Sequence, residues 1–198
     1  MAKFTVVIPY YQKQHGVLGR ALASVFSQSL QDFDLVIVDD ESPYPIEKEL
    51  EELSEAQRNR IKVIKQANGG PGGARNTGLD NVPAETAYVA FLDSDDMWTP
   101  DHLKNAAYSL ETFGGECYWA SMQASDEFYY HFAISELENN EGATRLSESP
   151  KVIELPDLAS VMLRNWSFLH LSCMVIGRPL FEKIRFDPVL RLAAEDVL

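Results

Sequence analysis

Through the first 113 residues, short apolar runs alternate with stretches of helical periodicity, and this alternation constrains the fold more than any other feature. Residues 4–9 (Phe4-Thr5-Val6-Val7-Ile8-Pro9) are β-branched and apolar and end on a proline, the pattern of a buried parallel strand. Leu18, Leu22 and Val25 then recur at helical spacing, which predicts an amphipathic helix to about residue 28. Residues 33–38 predict a second strand, followed by the turn cluster Asp39-Asp40-Glu41-Ser42-Pro43 and an acid-rich helix over 47–53. A third strand is predicted at 61–64. Residues 68–73 read as a glycine-rich loop, with a helix from Gly72 or Gly73 to Leu79. A fourth strand is predicted at 87–92. A helix is predicted over 100–113, with Pro100 in its first turn, where a missing N–H is harmless.

Strands alternating with helices imply right-handed βαβ units and a mostly parallel sheet flanked by helices, an α/β fold. Such sheets bind ligands at the carboxyl ends of their strands. Three loops that follow strands are acidic or glycine-rich: Asp39-Asp40, residues 68–73 and Asp93-Ser94-Asp95-Asp96. The second half carries weaker signals. It reads as a strand over 118–123, an exposed polar loop over 136–149, a helix over 155–163, a strand over 172–176 and a short helix over 179–184. One domain over 1–198 is expected, with residues 1–113 as its ligand-binding half and 114–198 as the other.

Composition narrows the function classes. The formal charge of −13 disfavours nucleic acid, which draws its affinity from basic faces, as a partner. No apolar run approaches the roughly 18 residues of a membrane-spanning helix. The first residues run directly into a strand pattern without a signal peptide, and two cysteines make no disulfide framework. The expected location is cytoplasmic, with the inner face of the membrane allowed.

The motifs leave alternatives open when taken singly. Asp93, Asp95 and Asp96 repel unless a cation or protons sit between them, and hard cations such as Mg²⁺ or Mn²⁺ bridge carboxylates to phosphates. The bland reading is a solvated turn. Asp39-Asp40 reads as a turn former or as an acceptor for a base or ribose. Asn68-Gly69-Gly70-Pro71-Gly72-Gly73-Ala74-Arg75 resembles a phosphate cradle without matching either common nucleotide fingerprint. Arg75 would contact a base or phosphate, or pair with a neighbouring Asp. Glu195-Asp196 reads as a catalytic carboxylate with a partner or as a solvated face. His170 lines a pocket or sits satisfied in the core. Trp98 reads as packing and Cys173 as inert core.

Five segments agree in order and spacing with family 2 glycosyltransferases of the GT-A fold, which this sequence resembles over residues 4–103. They are Val7-Ile8-Pro9-Tyr10-Tyr11, residues 21–29, Val38-Asp39-Asp40-Glu41-Ser42, residues 68–79 and Phe91-Leu92-Asp93-Ser94-Asp95-Asp96. Beyond residue 115 the likeness is loose until Phe186-Asp187 and Ala194-Glu195-Asp196-Val197. The resemblance implies an inverting transferase of the bacterial polysaccharide and cell-envelope type. It would use a UDP-linked sugar, Mn²⁺ or Mg²⁺, and a saccharide or lipid-linked saccharide acceptor. Pro9, Tyr10 and Tyr11 would line the nucleoside pocket. Asp40 would contact the uracil beside Arg75, with Asp39, Asn68, Gly69 and Gly70 around it. Asp93 would face the ribose or sugar, Asp95 would ligate the metal with Asp93 and Asp96 in support, and Asp196 would be the general base next to Glu195. Family members continue past the Glu-Asp motif, so a piece of a longer enzyme is expected. The rival readings are a non-catalytic nucleotide-sugar module and a sugar-phosphate nucleotidylyltransferase. The latter is disfavoured because Pro9-Tyr10-Tyr11-Gln12, not a basic glycine loop, follows the first strand.

Overall fold

A computed structural model describes residues 3–121, 137–164 and 169–189. Four parallel strands, β1 (Phe4–Tyr10), β2 (Phe33–Asp39), β3 (Ile61–Lys65) and β4 (Tyr88–Phe91), form one side of a six-stranded sheet. β5 (Cys117–Trp119) and β8 (Met174–Gly177) complete it in the order β3-β2-β1-β4-β8-β5. β8 runs antiparallel to both β4 and β5. The sheet is thus mostly parallel, as expected, and strands from both halves of the sequence share it.

Side-chain alternation along each strand splits the core into two layers. Val6 and Ile8 of β1, with Ala90 of β4 and the following Leu92, pack against helices α1 (Val17–Phe26) and α5 (His102–Phe113). Val7, Val89 and Phe91 face the opposite way, toward Leu79 of α4 (Gly70–Leu79), Phe181 of α7 (Arg178–Phe181) and Phe186. Gly78 lets α4 lie directly on β1, because a Cβ there would collide with Val7 Cγ1. This close approach delivers the N-terminal turn of α4 to the carboxyl edge of the sheet.

Several boundaries differ from the sequence reading. The helix expected over 47–53 is shorter, α2 (Ile46–Leu50), and a capped turn α3 (Glu55–Arg58) follows it, with Ser54 and Gln57 forming a reciprocal capping box. α4 begins at Gly70, so most of the expected glycine loop is helix; two of its amide donors are satisfied from a distant carboxylate, as described below. α5 begins at His102 rather than at Pro100, whose carbonyl instead accepts the Ser29 N–H. The expected polar loop over 136–149 contains strand β6 (Thr144–Glu148), which pairs antiparallel with β7 (Lys151–Glu154). Besides the backbone ladder, Glu138 takes ion pairs from both Arg145 and Lys151 of this ribbon. α6 (Leu158–Arg164) follows, and residues 122–123 of the expected strand over 118–123 lie outside the described residues. Among the described residues no helix is long and apolar enough to cross a membrane.

His102 opens α5 inside the core. It is 3% exposed, stacks on Trp98 with centroids 4.5 Å apart, and has no partner for Nε2 among the described residues. Burial lowers its pKa from 6.5 to about 4. Below pH ~6.5 the unfolded imidazole takes up a proton that the folded one refuses, so stability falls with pH until about pH 4; above ~6.5 the group contributes nothing. Urea unfolding at pH 7.5 and 5 should therefore show wild type losing about 2 kcal/mol more than His102→Leu. Equal losses would show that His102 is not held neutral.

Candidate active site

The site is built on the carboxyl ends of β2, β1 and β4, which lie side by side in that order. At the end of β2, Asp39 and Asp40 are both buried. Asp39 Oδ1 accepts the Ser42 N–H at 2.9 Å, and Lys65 Nζ stands 3.9 Å from Oδ2. The Asp40 carboxylate closes the turn before α4. Its Oδ1 accepts from Gly69 N–H (2.8 Å) and Gln66 Nε2 (2.7 Å), and its Oδ2 accepts from Gly70 N–H (2.9 Å). An anion at a helix N-terminus satisfies donors that lack intrahelical partners. Asn68 Nδ2 donates to the Asp40 carbonyl at 3.0 Å, and Gly70 sits at φ +76°, where glycine is favoured.

The three residues at the end of β1 point to different places. Tyr10 is fully buried; its hydroxyl donates to the Tyr44 carbonyl, and burial raises its pKa to about 12. Pro9 is half-buried and Tyr11 is 48% exposed. The next residue, Gln12, ties three loops together. Its Nε2 donates to Ser94 Oγ at 2.9 Å, its N–H donates to Ser42 Oγ, and its carbonyl accepts from both Ser42 Oγ and the Tyr44 N–H.

The acidic loop after β4 lies on the far side of β1 from Asp40. Arg75, 2% exposed, reaches it from α4 and donates from Nη2 to Asp93 Oδ1 at 2.6 Å. Its Nε and Nη1 have no partner among the described residues, and its guanidinium lies 5.6 Å from the Phe186 ring centroid. Asp93 N–H donates to Ser172 Oγ (3.0 Å), and Ser172 Oγ donates to Asp96 Oδ2 (2.5 Å). His170 Nδ1 stands 3.6 Å from the same oxygen. Desolvation raises the pKa of Asp96, opposed by the Ser172 hydrogen bond and His170. Asp95 is exposed between these two held neighbours.

The structure thus gathers Asp39, Asp40, Asn68, Gly69 and Gly70 on one side of β1, and Arg75, Asp93, Asp95 and Asp96 on the other. Glu195 and Asp196 lie outside the described residues. His170 is not a core histidine; it is partly exposed beside Asp96. Ser172, Gln66 and Gln12 were not legible as site residues. The faint signal for Ser172 is a serine in the apolar run Leu171-Ser172-Cys173-Met174. Cys173 is half-buried, and burial raises its thiol pKa to about 12.

The family model for glycosyl transferase family 2 matches residues 5–185. The chain belongs to that family. It is 67% identical over its whole length to the succinoglycan biosynthesis protein ExoW of Rhizobium meliloti (strain 1021), covering 62% of that protein. It is 35% identical over 193 residues to an uncharacterized glycosyltransferase of Nostoc sp., covering 94% of this chain and 55% of that one. The chain therefore spans about three-fifths of the length of these relatives. In fold it is similar to S. aureus TarS 1–349, with a TM-score of 0.75 at 23% identity over 98% of this chain and 52% of that one. The same TarS fragment in complex with UDP-GlcNAc gives 0.69 at 23% identity, over 93% and 48% of the two chains. These neighbours establish the GT-A architecture.

Among the described residues, no three His, Cys, Asp or Glu side chains are gathered as a metal cage. The donor set nonetheless fits a hard cation held in another way. Asp95 is an exposed carboxylate flanked by two oriented ones, and Mg²⁺-type ions are commonly bound by one or two carboxylates with substrate phosphates completing the shell.

The Asp40 geometry has a measurable consequence. Asp40→Ala should lower stability by about 3 kcal/mol, because it strands two backbone donors and the Gln66 amide. Urea midpoints and hydrogen exchange at Gly69 and Gly70 test this. A loss under about 1 kcal/mol with unchanged exchange would remove Asp40 from its closing role.

Proposed function

We propose that this chain carries the donor-binding and catalytic domain of an inverting glycosyltransferase. It would move a sugar from a UDP-sugar to a hydroxyl of a saccharide or lipid-linked saccharide acceptor during exopolysaccharide synthesis. The observation that carries this reading is the exposed Asp95 beside an Asp93 fixed by buried Arg75, at the carboxyl edge of the sheet. The name of the ExoW relative places that protein in succinoglycan biosynthesis, and TarS was solved with UDP-GlcNAc, which supports a nucleotide-sugar donor.

In this reading the nucleoside lies over the end of β1, against Pro9 and Tyr11, between the turn closed by Asp40 and the acidic loop. Tyr10 shapes that floor from beneath, through its hydrogen bond to Tyr44. Asp93 meets the ribose or the sugar. Asp95, supported by Asp93 and Asp96, would hold Mn²⁺ or Mg²⁺ together with the diphosphate. The ion, when bound, supplies Lewis-acid stabilisation of the leaving charge. Asp196 takes the proton of the acceptor hydroxyl as it attacks the anomeric carbon from the face opposite the departing UDP, and Glu195 stands beside it. A single displacement needs no covalent nucleophile. Residues 1–113 supply most of the donor side and 114–198 the acceptor side of one domain.

Calorimetric titration of UDP with and without Mn²⁺ tests the donor site. Mn²⁺ should tighten UDP at least about tenfold in wild type, and Asp95→Ala should abolish that gain. Equal affinities with and without the ion would overturn the metal-assisted site. In the full-length protein, Asp196→Asn should leave UDP affinity within about twofold and cut transfer from UDP-sugar by roughly 10²-fold or more, since Asn keeps the shape but takes no proton. A variant keeping over about half the wild-type rate would leave Asp196 without that role. UDP release from UDP-sugars separates transfer from binding alone.

A further inference from the structure

We propose that Ser172 is a positioning residue of the acidic loop, holding Asp93 and Asp96 in the arrangement that accepts the metal–nucleotide. The inference rests on the donor-site reading above. Ser172 lies in the 3₁₀ turn Leu171–Cys173, immediately before β8, and is 4% exposed.

Every polar group of Ser172 is engaged, most of them by one loop. Its hydroxyl donates to Asp96 Oδ2 at 2.5 Å and accepts the Asp93 N–H at 3.0 Å. Its carbonyl accepts the Trp98 indole N–H at 2.5 Å, and its own N–H meets His170 Nδ1 at 3.3 Å. Three residues of the 93–98 loop therefore converge on a serine more than 70 residues away in sequence. Asp93 is thereby held at three atoms: its N–H by Ser172, its Oδ1 by Arg75, and its carbonyl by the Asp96 N–H at 3.1 Å.

Three carboxylates within four residues repel one another, and an unsupported loop would relieve that repulsion by splaying. The Ser172 hydroxyl opposes splaying at both ends of the Asp93–Asp96 turn with one oxygen. Asp96 is left with Oδ2 engaged, and Asp95 is directed outward between two fixed neighbours. Groups that orient metal ligands in this way typically change metal affinity by 10–100-fold when removed. A serine that served stability alone would change the unfolding temperature and leave the metal requirement where it was.

The test compares wild type, Ser172→Ala, Asp96→Ala and the double variant in the full chain. The readings are UDP affinity without metal, the Mn²⁺ concentration that half-saturates UDP binding, and the thermal midpoint. Ser172→Ala should raise the half-saturating Mn²⁺ by at least about tenfold while metal-free UDP affinity stays within about twofold. Adding it to Asp96→Ala should raise the metal requirement by much less than it does alone, because residues acting through one another are not additive. If Ser172→Ala does not fold, Ser172→Cys keeps the volume without the strong donor and carries the same expectation. An unchanged half-saturating Mn²⁺ in a folded variant, or full additivity with Asp96→Ala, overturns the proposal and leaves the donor-site reading standing. Absence of any Mn²⁺ effect in wild type overturns the donor-site reading, and this inference with it.

Discussion

The ion pair between the buried Arg75 and the partly exposed Asp93 is the interaction on which the architecture of the site depends. A guanidinium that is 2% exposed has surrendered its hydration, and an uncompensated charge in that position is strongly destabilising. The pair ties α4 to the end of β4 across the top of β1, linking the glycine-rich segment to the acidic loop. Two of the three guanidinium nitrogens, Nε and Nη1, are left without partners among the described residues. An Arg fork so placed retains capacity for a further acceptor, which a purely structural pair would not need. The close seat of α4 on β1 at Gly78 sets the height from which Arg75 reaches.

Much of this was readable from residue patterns alone. β1, β2 and β4 are apolar, β-branched runs buried on both faces, and such runs admit few other interpretations. The acidic and glycine-rich segments were identifiable because the parallel topology puts all three at one edge. The alternation along β1 also contained the orientation of Tyr10, which shares the face of Val6 and Ile8 and so points into the core. Other features had no local signal. β6 is too polar to show an apolar face, and its ribbon rests on backbone pairing with β7, joined by ion pairs to Glu138. The start of α4 at Gly70 depends on a carboxylate 30 residues away, which no helix-propensity argument contains.

The two acidic segments divide their work differently from what their composition suggests. Asp40 has the look of an exposed ligand-binding carboxylate, yet it is 3% exposed and engaged with backbone amides. Asp95 has no distinguishing neighbour in sequence beyond two further aspartates, yet among the three it is the one presented to solvent. Carboxylates of one loop thus separate into two tied to the scaffold, Asp93 and Asp96, and one exposed between them, Asp95. Only the long-range partners, Arg75 and Ser172, decide which is which.

The direction of β8 has a consequence for how the chain is made. Because β8 is antiparallel to β4, the residues preceding it, not those following it, arrive at the carboxyl edge, and that places Ser172 over the acidic loop. β1 to β4 are complete once Phe91 has emerged from a ribosome, whereas Met174 follows 83 residues later. At synthesis rates of about 5–20 residues per second, the flank of β4 waits roughly 4–17 s for its neighbour. An open apolar strand edge over that interval is a place where nascent copies of the chain can pair with each other.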